Sequence, residues 1–152
     1  DFKRLLDKVL YAKIDGKVMT REEELEFVKS EKLNNKLIAS YHNYTETPEL
    51  EKIGKELEKY DSEIIKVSTF CKSEEDSLKL LTLLLDLKKK GKKFIILGMG
   101  DKGKIVRIYG ALWGNEMNFT PVDENGKSAD GQFTKERLEQ VLKLLDPVSS
   151  TG

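Results

Sequence analysis

A lysine interrupts the apolar, β-branched run Ile64-Ile65-Lys66-Val67. In a strand buried on both faces, an ammonium is costly unless it is paired, hydrated in a cavity or neutralised by a lowered pKa. A lysine amine kept neutral is the usual nucleophile for forming a Schiff base with a ketone. The same run also fits an edge strand whose alternation turns Lys66 to solvent. His42 is the single histidine of the chain, so any imidazole acid–base chemistry falls to it. It ends a short apolar run one repeat before Lys66, and parallel α/β sheets build ligand sites at the carboxyl ends of their strands. The plainer alternative is a structural histidine at a strand end.

Further along, Gly98-Met99-Gly100-Asp101-Lys102-Gly103 spells G-x-G-x-x-G after an apolar run. That is a dinucleotide-binding spelling, with Glu116 or Asp123 as the acidic partner it would need on the next strand. It leaves Lys66 and His42 without a role, and a tight glycine turn at a βα junction is the simpler reading. Arg107 follows within Lys104-Ile105-Val106-Arg107-Ile108. Its apolar neighbours suggest a guanidinium pointing into a site, where it could clamp a carboxylate; a surface arginine on an amphipathic helix is the alternative. Gly126-Lys127-Ser128 fails as a phosphate loop because Pro121 stands where its first glycine is required. Residues 123–132 instead make a polar loop with Gly126 and Gly131, suited to an active-site lid. The acidic run Glu22 to Glu24 and the basic run Lys88 to Lys90 read as solvated helix faces.

The elements that must position these residues alternate in type. Strand patterns fall at residues 9–14, 37–41, 64–69, 94–97 and 117–120, their starts 23 to 30 residues apart. Each interval is one strand plus one helix. Helical patterns occupy 20–33, 48–60, 73–90, 104–113 and 134–145. Ser73 and Thr134 are placed as N-caps, Pro48 as a helix start and Gly91 as a helix stop. Such alternation implies parallel pairing through right-handed crossovers. An open doubly wound sheet and a closed barrel both answer to it. A full barrel needs about 250 residues, more than the 152 present. The chain opens inside a helical pattern and without methionine, so a truncated or processed start is expected. Residues 1–147 read as a single α/β domain and 148–152 as a disordered tail.

Composition excludes several classes. Twenty-seven Lys and Arg balance 27 Asp and Glu, so no bulk charge draws the chain to nucleic acid or an anionic membrane. No apolar run has the length of a membrane span. The single cysteine, Cys71, excludes an internal disulfide and fits a reducing compartment. A soluble, cytoplasmic protein is expected.

With these residues in hand, the chain resembles the type I 3-dehydroquinate dehydratases. Four stretches carry the likeness. Ile38-Ala39-Ser40-Tyr41-His42-Asn43 is similar to the strand end that bears that family's histidine. Ile65-Lys66-Val67 resembles the strand of its Schiff-base lysine. Gly98 through Arg107 resembles its Ser-Met-Gly…Gly-Lys-Ile-Ser-Arg segment, and Ser128-Ala129-Asp130-Gly131-Gln132 its lid motif Ser-Ala-Pro-Gly-Gln. Asp130 departs from that motif, replacing a proline and adding a negative charge. The resemblance implies a partial (β/α)8 TIM barrel of about five βα units, strands 4 to 8 of the family barrel. It implies Lys66 and His42 as catalytic residues, and Arg107, Ser128, Gln132 and Met99 as substrate-binding ones. Neither metal nor organic cofactor is implied. The substrate would be 3-dehydroquinate, and the partner a second copy or a segment supplying the absent strands. An incomplete barrel acting as an assembly half or weak binding module is the alternative.

Overall fold

The computed structural model describes residues 37–121, 125 and 131–145. The strand expected at 9–14, the helix at 20–33, Ser128, Asp130 and the tail lie outside them. Within them the β-branched runs form three strands: β1 (Ile38–Asn43), β2 (Ile64–Phe70) and β3 (Lys93–Met99). They pair in chain order and all in parallel, with Ile38 opposite Ile64 and Ile64 opposite Lys93, so β2 is central.

Four helices follow the expected pattern: α1 (Leu50–Glu58), α2 (Glu74–Lys89), α3 (Lys104–Trp113) and α4 (Lys135–Leu145). Ser73 caps α2 by accepting from the Asp76 N–H at 3.3 Å, and the Asp76 carboxylate accepts from Lys72 N–H at 2.8 Å. Thr134 caps α4 through the Arg137 N–H. Gly91, at φ +71°, ends α2 with Lys92 N–H returning to Leu87 O and Gly91 N–H to Lys88 O, a Schellman closure. Pro48 does not start α1; the cap position is Glu49. The Thr47 hydroxyl that could have capped there is buried instead, 2.7 Å from Thr69 Oγ1 and 2.8 Å from Phe70 O.

Period-2 alternation gives the sheet two distinct faces. Ala39, Tyr41, Ile65, Val67, Phe94 and Ile96 meet Leu57, Leu80, Leu84, Leu87 and Val106 from the helices in the main core. Each such leucine contributes about 1.5–3 kcal/mol of burial. On the other face Ile38, Ile64, Ile95 and Leu97 pack with Phe119. That face also carries Ser40, His42, Lys66 and Ser68, by the same alternation.

The strand expected at 117–120 is absent: those residues are irregular. The reason lies at Asn115. Its Oδ1 accepts from Ile96 N–H at 2.8 Å and its Nδ2 donates to Ile96 O at 3.0 Å. Glu116 N–H takes Phe94 O at 3.0 Å. One side-chain amide thus occupies the edge of β3 that a following strand would pair with.

Candidate active site

Lys66 stands third in the central strand, on a stretch buried from Ile64 to Thr69. It is 6% exposed, which overturns the solvent-facing edge alternative. Burial pushes its amine down to about 8 from the ordinary 10.5, because desolvation penalises the ammonium. Its Nζ lies 4.4 Å from the centroid of the Phe119 ring.

His42 is half-buried near the end of β1, opposite Ser68 and therefore two residues beyond Lys66 on the adjoining strand. Diagonal neighbours of this kind lie about 8 Å apart at Cα, within reach of long side chains. Asn43 secures the turn that follows. Its Oδ1 accepts from Thr45 N–H, Thr45 Oγ1 and Glu46 N–H, each at 3.0 Å, and its Nδ2 donates to Tyr41 Oη. The Tyr44 ring stands edge-on to the imidazole at 6.1 Å.

The glycine-rich segment serves backbone packing. A Cβ on Gly98 would meet Gly103 Cα at 2.7 Å, one on Gly103 would meet Gly98 C at 2.4 Å, and one on Gly100 would touch the Phe70 ring at 3.0 Å. Gly131 lies against the same turn: a Cβ on it would fall 2.4 Å from Gly100 O. Space over the glycines is therefore filled by protein, and the dinucleotide reading has no support.

That close turn lets the first turn of α3 fold back. Arg107 Nε donates to Gly98 O at 2.8 Å, and the side chain is 6% exposed. It lines a cleft with Leu97, Phe119 and Phe133, so it is no surface arginine. Burial lowers its guanidinium to about 10, which leaves it cationic at neutral pH. Gln132 is buried and its Nε2 donates to Phe119 O at 3.5 Å. Met99, also buried, ends β3 opposite Phe70. The structure thus gathers Lys66 and His42 on one face, and Arg107, Met99 and Gln132 around its carboxyl-end rim. Phe119 was missed by sequence reasoning, as were Ser40 and Ser68; the serines were readable from alternation, two positions from His42 and Lys66.

Chemically, the arrangement offers an amine of lowered pKa, an imidazole on the adjoining strand of the same face and a buried cation at the rim, a set suited to an anionic ketone. Among the described residues no helix is long and apolar enough to cross a membrane.

Comparison with known proteins agrees in family. The model of type I 3-dehydroquinase matches residues 3–148. A 3-dehydroquinate dehydratase of Methanococcus maripaludis strain C7 is 37% identical over 132 residues, 84% of this chain and 59% of that protein. One from Pyrococcus abyssi is 30% identical over 141 residues, 91% of this chain and 61% of the relative. Among solved structures, 3-dehydroquinate dehydratase from Geobacillus kaustophilus superposes with TM-score 0.67 at 28% identity, covering 84% of this chain and 48% of that one. The type I enzyme from Clostridium difficile, solved with covalently modified comenic acid, gives 0.64 at 26% identity, covering 84% and 51%. The chain spans about three-fifths of the length of the first of these relatives. With the family model covering nearly all of its residues, the chain belongs to the type I 3-dehydroquinase family.

Proposed function

We propose that this chain carries the Schiff-base machinery of a 3-dehydroquinate dehydratase, a lyase of the shikimate pathway to aromatic amino acids. The reaction is a syn elimination of water from 3-dehydroquinate to 3-dehydroshikimate. The observation that supports it most is a mid-sheet amine brought to about 8 on the same face as the sole imidazole.

In this reading the neutral amine of Lys66 attacks the ketone carbon, and loss of water leaves an iminium. The iminium withdraws electrons, so the adjacent C–H becomes acidic. His42 takes that proton and returns one to the departing hydroxyl. Arg107 pairs with the ring carboxylate, Met99 lines the pocket, and Ser128 and Gln132 close over the substrate from the loop. No metal or organic cofactor takes part.

The finer architecture belongs to the same proposal. It comprises a partial (β/α)8 barrel of about five units in a single domain over residues 1–147, working in the cytoplasm. Of the two edges of the described sheet, at β1 and β3, that of β3 is held by Asn115 and Glu116; an edge left open invites pairing. A second copy, or a separate segment bearing the family's other strands, would complete the wall. Light scattering on the full chain reports this: a monomer mass excludes the homodimer.

The test of function is the appearance of dehydroshikimate absorbance on adding 3-dehydroquinate, in the chain and in His42→Gln. Turnover lost in the variant is expected; turnover undiminished in it removes His42 from the reaction.

A further inference from the structure

Phe119 is packed on the site face against Ile38, Ile64, Ile95 and Leu97. Its backbone carbonyl is held by the buried Gln132 amide. From that position its ring presents a face to Lys66 Nζ at 4.4 Å. The face of an aromatic ring is negative; it attracts a cation placed over it and offers a neutral amine little. The geometry points to Phe119 as the electrostatic stabiliser of the iminium formed on Lys66, a role that rests on Lys66 being the Schiff-base nucleophile.

The charge on Nζ explains why the ring belongs there. The amine lone pair forms a C–N bond to the ketone carbon, the carbonyl π pair moves to oxygen, and that oxygen takes the proton nitrogen releases. A further proton converts the hydroxyl to a leaving water, and the remaining nitrogen lone pair closes the C=N bond. In sum, one ammonium and one ketone become one iminium and one water. Nζ is cationic at both ends of the sequence and neutral only during attack. Burial alone disfavours both cationic states; a ring face over Nζ offsets that penalty without admitting water. Among the described residues, the other charged or titratable side chains on this side are His42 from β1, Arg107 from α3 and, at the far end of β3, the exposed Lys93, while the rest of that strand's face supplies Ile95, Leu97 and Met99.

The test is graded fluorination of the Phe119 ring in the full chain, which keeps its shape while draining negative charge from its face. Phe119→Leu and Phe119→Tyr serve as encoded controls. The first readout needs no dehydroquinate: the pH midpoint for reductive methylation of Lys66 by formaldehyde and cyanoborohydride. It is read on the Lys66 peptide by mass spectrometry, with exposed Lys72 as internal reference. Each added fluorine is expected to lower the midpoint, to a total of about 0.4 to 1.5 pH units. Phe119→Leu should match the most fluorinated ring, and Phe119→Tyr the wild type. The second readout is the fraction of Lys66 trapped by borohydride with 3-dehydroquinate, expected to fall by about 2- to 30-fold. A midpoint that fluorination leaves in place, or raises, overturns the proposal. A falling midpoint with no dehydroquinate adduct in any variant upholds the ring's action on the charged nitrogen and removes dehydroquinate as the substrate.

Discussion

Gly131 rests directly on Gly100: a Cβ built on Gly131 would stand 2.4 Å from the Gly100 carbonyl oxygen. The contact ties the start of the Gln132 segment to the turn after β3, whose first glycine accepts from Arg107. Two groups at the rim are thus placed by backbone-to-backbone approaches, Arg107 beside Gly98 and Gly103 and Gln132 beside Gly131 and Gly100.

Gly131→Ala is therefore expected to cost more than its positive φ alone. At φ +83° an alanine is strained by about 1 kcal/mol, and the Gly100 contact adds to that. Gly91 is the control. It has φ +71° and nothing within 4 Å of a built Cβ, so Gly91→Ala should cost only about 1 kcal/mol. Urea denaturation of both variants checks the difference; equal losses would show that the approach to Gly100 is easily relaxed.

Lys66 should make stability depend on pH in a defined window. Its folded pKa of about 8 lies below the ordinary 10.5. Between those values the unfolded chain holds a proton that the folded chain has lost, so stability rises with pH there. Below about pH 8 the buried ammonium exerts its full penalty, about 3 kcal/mol for a shift of this size. Lys66→Met is expected to be more stable than wild type by up to about that amount at pH 7, with the gap closing by pH 10.5. Denaturation of the pair at several pH values reads the difference; a constant gap would contradict it.

Arg107 should act on binding. Removing a charge-assisted bond to a carboxylate costs about 1.5–3 kcal/mol, so Arg107→Met should raise KM for 3-dehydroquinate by about 10- to 150-fold. Burial lowers the guanidinium only to about 10, so it stays cationic at neutral pH and the rise in KM should be the same at pH 7 and pH 8. Steady-state kinetics across pH check both.

Asn115 should prove structural and specific. Its amide serves both the N–H and the C=O of Ile96, and a buried polar group left unsatisfied costs about 1–3 kcal/mol. Asn115→Ala should lose that amount or more. Asn115→Asp should lose it at neutral pH, with a carboxylate set against Ile96 O, and recover partly in acid when the carboxyl can donate. Urea titrations at two pH values decide it.

Asn115 also shows where sequence reading stops. The four described helices and three strands were legible because their periods and caps are local, as at Ser73, Gly91 and Thr134. Residues 117–120 have strand-like composition, but whether they pair depends on what holds the edge of β3, and Asn115, Glu116 N–H and Arg107 take Ile96, Phe94 O and Gly98 O there. Lys66 was ambiguous for a similar reason: central and edge strands share a spelling until the neighbours are known. Pro48 looked like a helix start, but Glu49 takes the cap position and the preceding Thr47 hydroxyl bonds Thr69, 22 residues away. G-x-G-x-x-G was readable as a turn, but only the approach of Gly103 and Gly131 shows what fills the space above it. Phe119 reaches Lys66 across the sheet face, a relation no local pattern announces.

The proposed elimination requires the Lys66 amine to react with the ketone. Borohydride reduction of the chain in the presence of 3-dehydroquinate, followed by peptide mass mapping, tests this most directly. A covalent adduct is expected on the peptide containing Lys66, formed increasingly as pH rises toward about 8 and abolished in Lys66→Met. An adduct of undiminished yield in Lys66→Met, or one mapped to another lysine, would contradict it.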